Sequence, residues 1–424
     1  MLHRLIRHPL GLVILLAVGA RAAVMVRGSG TFDDPDNYRP LAQTLAAGEG
    51  FAHKGRPTAY RPPLYPVLLA PILWALGDRA DWGIALLHLG LGAGTVWMTA
   101  AAARGWGLSD GRVVVAALVV ACDPVLIWQS RSVMTETPAA FLVAASLAGL
   151  SRGGWWGPAW GGLGLGLAGL CRPSLLAGAV LTVLAGLVVP PGTGRDRLAR
   201  SGLLAITVAL VLLPWMVRNL WVFGEPVWTT THGGYTLALA NNPVYYREVL
   251  NGPPGRTWTG PDQWSWWDSV NRATAGMSEP QADRVLKAMV WRLARERPRE
   301  FCRASWARLG RFWGVAPAAA VYSRLSRWAT RAWTLPLWIA LALGLVQASL
   351  WRWPRIAAPL LVIGLTLVHA VFWTDLRMRA PIVPAIALIA AAARLPRARL
   401  RRADAGVLTR RTRPRWLGWA TGGS

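Results

Sequence analysis

The feature that most constrains this chain is a succession of apolar runs, each about 15 to 22 residues long, separated by short loops that carry arginine. Runs of that length cross a bilayer as helices. The composition agrees: 54% of the 424 residues are hydrophobic and only 16% are charged, whereas soluble domains carry roughly 25% charged residues. Mean hydropathy is positive, +0.33. An ordinary soluble globule is excluded, and an all-α polytopic membrane protein is expected. The net charge of +26, from 46 basic and 20 acidic residues, would suit a nucleic-acid binder. Here the basic residues sit in loops and tails between the runs, where topology accounts for them, so no nucleic-acid partner is expected. Cys122, Cys171 and Cys302 form no disulfide or metal-binding pattern.

The first run, Pro9–Val26, follows a flank with Arg4 and Arg7 and contains Ala20-Arg21-Ala22, which also fits a signal-peptide cleavage site. An uncleaved span from the cytoplasm outward fits the rest of the chain better, with Arg21 snorkelling to the outer interface. Leu64–Leu76 is only about 13 residues and opens with prolines, which reads as a re-entrant or juxtamembrane helix. If it does not cross, the loops with Arg104 and Arg112, with Arg152, and with Arg195, Arg197 and Arg200 all face the cytoplasm, as the positive-inside rule requires. The remaining spans are expected at Trp82–Ala103, Arg112–Trp128, Val133–Leu150, Trp155–Cys171, Ser174–Val189, Gly202–Val222, Trp333–Leu350, Ile356–Trp373 and Ala380–Ala393. The organisation expected is a core at 1–222 with seven spans and an Asp-rich first outer loop at 27–81, a small outer-face domain at 223–331, three C-terminal spans at 332–394, and a basic cytoplasmic tail at 395–424. That gives about ten transmembrane helices with both termini inside. In the outer segment, Leu286, Met289, Val290 and Leu293 share one face of a basic amphipathic helix suited to lying on the membrane surface.

Polar residues gather at the outer ends of these spans. The first outer loop carries Asp33, Asp34 and Asp36 before Tyr38, Leu41, Ala42 and Leu45, which share one helical face. Asp34 or Asp36 can cap that helix, but three carboxylates exceed what a cap needs. Arg61, Thr135-Glu136, Arg172, Arg218-Asn219, Asn241-Asn242 and Asp375 with Arg377 lie at the same level. Each arginine alone suits an interfacial anchor; the convergent set suggests a site for a charged substrate at the membrane surface. The outer segment adds Thr229–Gly234, which includes His232, and Trp258, Trp264, Trp266 and Trp267, which can stack on sugar rings or pack a small domain. No spacing of His, Cys and carboxylates argues for a metal. A divalent ion on the loop aspartates is possible but not indicated, and no cofactor is expected.

Taken in order, Asp34-x-x-x-Tyr38-x-x-x-Ala42, Arg61-Pro-Pro-Leu-Tyr65-Pro, Thr135-Glu136, Arg172-Pro173, Pro214-Trp215-x-x-Arg218-Asn219 and Arg377-x-Arg379-x-Pro381-x-x-Pro384 resemble the GT-C membrane glycosyltransferases. The nearest branch is the bacterial relatives of dolichyl-phosphate-mannose protein mannosyltransferases and lipid A aminoarabinose transferases. The resemblance covers nearly the whole chain. It implies a conserved core of seven spans and transfer of a sugar from a polyprenyl-phosphate carrier on the outer face. It also implies that Asp34 is the catalytic carboxylate and that Arg61 contacts the carrier phosphate. Pro35 stands where many relatives have Glu, with Asp33 and Asp36 as flanking carboxylates.

The chemistry is consistent with that inventory. Displacing a polyprenyl phosphate from an anomeric carbon needs a base for the acceptor proton and positive charge where the phosphate leaves. The expected site therefore has Asp34, Asp36 and Glu136 as catalytic carboxylates, and Arg61, Arg172, Arg218 and Arg377 on the donor phosphate. Tyr38, Tyr65 and Asn219 support the loop. The expected partners are a polyprenyl-phosphate-linked sugar, an unidentified protein, lipid or glycan acceptor, and membrane lipids. The expected place is the plasma (inner) membrane, with the site facing the exterior or periplasm. A transporter or flippase of lipid-linked sugars is the competing class, which paired broken helices would favour.

Overall fold

Apolar runs fold as helices because a helix closes its own backbone hydrogen bonds away from water. The computed structural model describes residues 9–26, 32–253, 258–318 and 322–393, and these are almost wholly helical. The core opens with α1 (Pro9–Val26), α2 (Tyr38–Ala46) and a minimal hairpin, β1 (Ala52–His53) with β2 (Arg56–Pro57). It continues through α3 (Leu64–Leu76), α4 (Ala80–Gly105), α5 (Asp110–Cys122), α6 (Pro124–Gln129), α7 (Glu136–Leu150), α8 (Trp156–Cys171), α9 (Leu176–Val188) and α10 (Gly194–Phe223). Between α10 and the next long apolar helix lie α11 (Gly233–Ala240), α12 (Pro261–Ala273), α13 (Glu279–Glu296) and α14 (Pro298–Phe312). Helices α15 (Arg324–Leu345), α16 (Ala357–Val371) and α17 (Val383–Ala392) close the fold. Residues 9–26, 64–105 and 194–223 are long and apolar enough to cross a membrane, and α7, α9 and α16 are shorter apolar helices. The basic flank with Arg4 and Arg7, and the C-terminal basic tail, lie outside the described residues.

Helix ends depart from the apolar runs where polar chemistry takes over. The run expected at Arg112–Trp128 is broken, because the Asp123 side chain accepts from the backbone N–H of Val125 and Leu126 and starts α6 afresh at Pro124. Helix α10 begins well before the expected Gly202, since Thr193 and Asp196 form a capping box ahead of its basic first turns. Ser323 caps α15, which begins at Arg324, nine residues before the expected Trp333. The last run starts as a 3-10 stretch, Leu376–Ile382, before α17. Helix α3 folds back on α4 after Gly77, whose φ of 49° and ψ of −120° make the turn. It packs closely because a Cβ at Gly83 would come within 2.4 Å of Ile72.

The arginines do more than mark topology. Arg21 does not snorkel outward as expected: it is 2% exposed and donates to Ala17, Val120 and Ala121 carbonyls, the last two at the C-terminus of α5. Gly92 leaves the room it needs, since a Cβ there would come within 2.7 Å of the Arg21 side chain. Arg308 likewise binds the Ala240 and Ala370 carbonyls at the ends of α11 and α16. Arg379 binds the Phe312 carbonyl ending α14, and Arg112 that of Ala392 ending α17. Arg197 binds Val188 ending α9, and Arg355 binds Trp106 just past α4. Final-turn carbonyls lack intrahelical donors and carry the negative end of the helix dipole. A guanidinium from another segment satisfies both needs, so these arginines fasten helix ends together.

The segment between α10 and α15 has its own core of Tyr245, Tyr246, Trp258, Trp266, Leu286 and Val290. Trp258 and Trp266 are therefore packed inside it, while Trp264 and Trp267 are exposed. On the amphipathic helix α13, Leu286 and Val290 are buried and Met289 is exposed.

Candidate functional site

The loop between α1 and α2 places its carboxylates in distinct roles. Asp33 accepts from the Val133 N–H through its carbonyl, and its mostly exposed side chain lies 3.3 Å from Arg131. Asp34 closes the N-terminus of α2, one carboxylate oxygen accepting from the Tyr38 N–H at 2.9 Å and the other from the Arg39 N–H at 2.7 Å. The cap is therefore Asp34 and not Asp36. Burial raises the Asp34 pKa above the ordinary carboxylate value, against the lowering effect of those two N–H groups and of Arg39. Asp36 instead pairs with Arg61 at 3.2 Å. Buried Tyr38 packs edge-on against Tyr65, ring centroids 5.5 Å apart. The Tyr65 hydroxyl meets His88 Nε2 at 2.7 Å, and His88 Nδ1 meets the Ser130 carbonyl at 2.7 Å. A carbonyl only accepts, so Nδ1 carries the proton and Nε2 accepts from the tyrosine.

Arg61 enters from the segment joining β2 to α3, with its guanidinium carbon 5.8 Å from the Tyr38 ring centroid and 5.5 Å from that of Tyr60. That segment is pinned by Glu279 at the start of α13. One Glu279 oxygen accepts from Thr58 Oγ1 at 2.6 Å, and the other from the Ala59 N–H and Thr231 Oγ1, each at 2.9 Å. Arg218 pins it from the other side by donating to the Thr58 and Phe51 carbonyls at 2.8 and 2.7 Å. Arg218, expected on the phosphate, thus donates to backbone carbonyls, whereas Arg61, Arg172 and Arg377 face carboxylates. Asn219 holds the adjoining turn through the Val227 carbonyl and accepts from Arg218.

Glu136 opens α7 fully buried, with 0% exposure. Arg172 approaches it at 3.2 Å and Arg377 at 3.9 Å. Arg172 also donates to Thr135 Oγ1 and contacts Met378 Sδ, and Arg377 pairs with Asp375 at 3.3 Å. Among the described residues neither Glu136 oxygen has a hydrogen-bond partner of normal geometry. Burial works against the charge on Arg377, but Glu136, Asp375 and Asp36 outweigh it and raise its pKa. The influence of Asp36 on Arg377, and of Arg61, Asp36 and Glu136 on Tyr38, makes these groups one electrostatic cluster.

Thus α2, the Arg61 segment, the start of α7, the end of α8 and the 3-10 stretch before α17 bring Asp34, Asp36, Arg61, Glu136, Arg172 and Arg377 to one end of the bundle. Sequence reasoning missed Glu279 and Arg131. No signal pointed to Glu279, because its partners Thr58 and Ala59 lie 221 and 220 residues away in the chain. Among the described residues no group of three or more His, Cys, Asp or Glu side chains is arranged to hold a metal ion.

The family model for dolichyl-phosphate-mannose-protein mannosyltransferases matches residues 60–226. That stretch includes Arg61, Glu136 and Arg172, while Asp34, Asp36 and Arg377 fall outside it. The resemblance to membrane glycosyltransferases read from the motifs holds over this stretch, and with the apolar helices it makes the chain a membrane-embedded protein. No curated protein matches the chain. Among solved structures, the Archaeoglobus fulgidus oligosaccharyltransferase tethered to an acceptor peptide is similar at 16% identity and a TM-score of 0.48. The match covers 90% of this chain and 48% of that one, so the chain spans about half the length of that protein. ArnT from Cupriavidus metallidurans, bound to undecaprenyl phosphate, is similar at 14% identity and a TM-score of 0.43, over 89% of this chain and 76% of that one.

Proposed function

We propose that this protein transfers a sugar from a polyprenyl-phosphate carrier to an acceptor nucleophile at the outer face of the plasma membrane, with inversion at the anomeric carbon. The observation that carries this reading is the convergence of Asp34 with the Arg61–Asp36 and Arg172–Glu136–Arg377 groups, together with the family match over residues 60–226. Asp34 is the base. Its two backbone hydrogen bonds fix the carboxylate direction, and each oxygen keeps a lone pair for the acceptor proton. As the acceptor oxygen attacks, its proton passes to Asp34 while the anomeric C–O bond breaks toward the phosphate. No covalent sugar–enzyme intermediate is needed.

Arg61, Arg172 and Arg377 meet the charge that develops on the leaving phosphate. Each is already oriented by a carboxylate, and a guanidinium with five N–H donors keeps donors for phosphate after one such contact. Pre-oriented donors need no reorganisation when the charge appears. Glu136 and Asp375 offset the charge of Arg172 and Arg377 before a carrier binds.

The orientation rests on the arginine-bearing loops at Arg104, Arg152 and Arg195, which belong on the cytoplasmic side. On this reading the site and residues 223–331 face outside, and α3 returns without crossing. Binding of undecaprenyl phosphate to purified protein tests the phosphate assignment. Arg61→Ala weakens it about 30-fold, the scale for truncating a desolvated charge contact. Unchanged affinity in that variant overturns the assignment.

A further inference from the structure

Beside Arg61 stands a group of rings that the proposed chemistry does not use. Tyr60 meets His232 edge-on, ring centroids 4.4 Å apart. On its other side His232 stacks on Tyr235 at 5.4 Å and 20° between planes. Tyr235 in turn leans on Trp266, which is buried in the core of the outer segment. Tyr60, His232 and Tyr235 each keep part of their surface accessible. No hydrogen bond to either ring nitrogen of His232 is found among the described residues. An imidazole held between two phenol rings with both nitrogens unused has donor and acceptor capacity available to a ligand.

The arrangement is fixed before any ligand arrives. Thr231, next to His232, donates its N–H to the Ala59 carbonyl at 3.0 Å, and its hydroxyl shares Glu279 with the Ala59 N–H. Ala59 precedes Tyr60 and Arg61. The segment bearing Arg61 and the segment bearing His232 are thus bolted together through one carboxylate, which sets the imidazole at a constant position relative to the guanidinium. Burial, and after it the charge of Arg61, lowers the His232 pKa and keeps the ring neutral. A neutral imidazole both donates and accepts, which suits a hydroxyl better than an anion.

We propose that Tyr60, His232 and Tyr235 form the subsite for the sugar of the donor lipid, the two phenol rings giving apolar walls and His232 hydrogen-bonding a ring hydroxyl. The inference rests on the reading that Arg61 holds the carrier phosphate. The sugar is joined directly to that phosphate, and Tyr60 is the ring that contacts both Arg61 and His232. A site built to hydrogen-bond a hydroxyl discriminates against ligands lacking it, because its polar groups are then left unpaired. His232 therefore sets which sugar is accepted.

The test uses the full-length protein in detergent, undecaprenyl phosphate, and a panel of undecaprenyl phosphates bearing mannose, glucose, galactose or 4-aminoarabinose. His232→Phe keeps the ring packing and removes both nitrogens; His232→Gln keeps hydrogen-bonding capacity and serves as the rescue. The wild-type protein is expected to bind at least one sugar-bearing carrier more tightly than bare undecaprenyl phosphate, by about fivefold, the scale of one neutral hydrogen bond. His232→Phe removes that margin and leaves bare-carrier affinity within about twofold, and His232→Gln restores part of it. The proposal is overturned if the margin survives in His232→Phe. It is also overturned if no sugar-bearing carrier exceeds the bare one, or if His232→Phe weakens both alike. Arg61→Ala in the same assay separates the two readings. If it leaves bare-carrier binding unchanged, the phosphate assignment fails, whereas the subsite is judged by the His232 margin alone.

Discussion

Asp34→Asn separates the base from the cap. The aspartate accepts two backbone N–H bonds, one on each oxygen. Asparagine offers one carbonyl oxygen and an amide that donates, so it keeps one of these bonds and faces the other N–H with a second donor. The structural cost is one charge-assisted hydrogen bond at a helix N-terminus, about 1–2 kcal/mol. In a chain this long that is a shift of a few degrees at most in thermal unfolding, roughly 2–4 °C per kcal/mol for domains already half its size. The chemical cost is far larger, because an amide does not take the acceptor proton: turnover falls about 10²-fold or more. The assay pairs thermal unfolding in detergent with single-turnover release of undecaprenyl phosphate from a sugar-bearing carrier. Asp36→Asn is the companion variant; it breaks the Arg61 pair and leaves the cap, so its effect falls on carrier affinity. If Asp34→Asn turns over normally while Asp33→Asn or Asp36→Asn is inactive, the base is the neighbour. If all three variants turn over normally, this loop does no acid–base chemistry.

Glu136→Ala leaves the partly buried Arg172 and Arg377 without their shared counter-ion and costs about 3 kcal/mol, the low end for breaking a buried pair, read as a lowered unfolding temperature; unchanged stability would show that Glu136 is not needed to balance these arginines. Asp34 works only when ionised, and burial raises its pKa, so kcat/KM falls as pH drops through a value above the ordinary carboxylate range. A limb at or below that range, or one unchanged in Asp36→Asn and Asp34→Asn alike, contradicts its assignment to Asp34. Arg21→Met removes three carbonyl contacts, two of them at the end of α5, and destabilises the bundle by about 2–4 kcal/mol without changing carrier affinity. Full stability in that variant would refute the fastening role given to these arginines.

Apolar length was legible in the sequence because it reports directly on burial in lipid: Leu64–Leu76 has the same bounds as α3, and Trp155–Cys171 differs from α8 by one residue. Ends set by side-chain chemistry were harder to read. Asp123-Pro124 lies inside an apolar run, so the break between α5 and α6 shows only when the carboxylate is seen accepting two N–H bonds. The loop carboxylates stood out by number, but Asp34 and Asp36 are both spaced to cap α2, and only folding assigns the cap. The arginines illustrate the limit best. Arg61, Arg172, Arg218 and Arg377 occupy equivalent places in the sequence pattern. Yet Arg218 faces carbonyls while the other three face carboxylates, a distinction made by segments far apart in the chain. The same holds for Glu279, whose role depends on three partners in two other segments.

On the proposed reading, the cluster at the end of the bundle breaks the bond between a sugar and its carrier phosphate. Purified protein in detergent, supplied with undecaprenyl-phosphate sugars labelled in the sugar and with membrane extract as the source of acceptor, tests it directly. Free undecaprenyl phosphate is expected to appear in step with label on an acceptor, and both vanish in Asp34→Asn. Intact sugar-bearing carrier in detergent, with the same lipid carried across the bilayer when the protein is reconstituted in vesicles, would contradict it and make the protein a transporter.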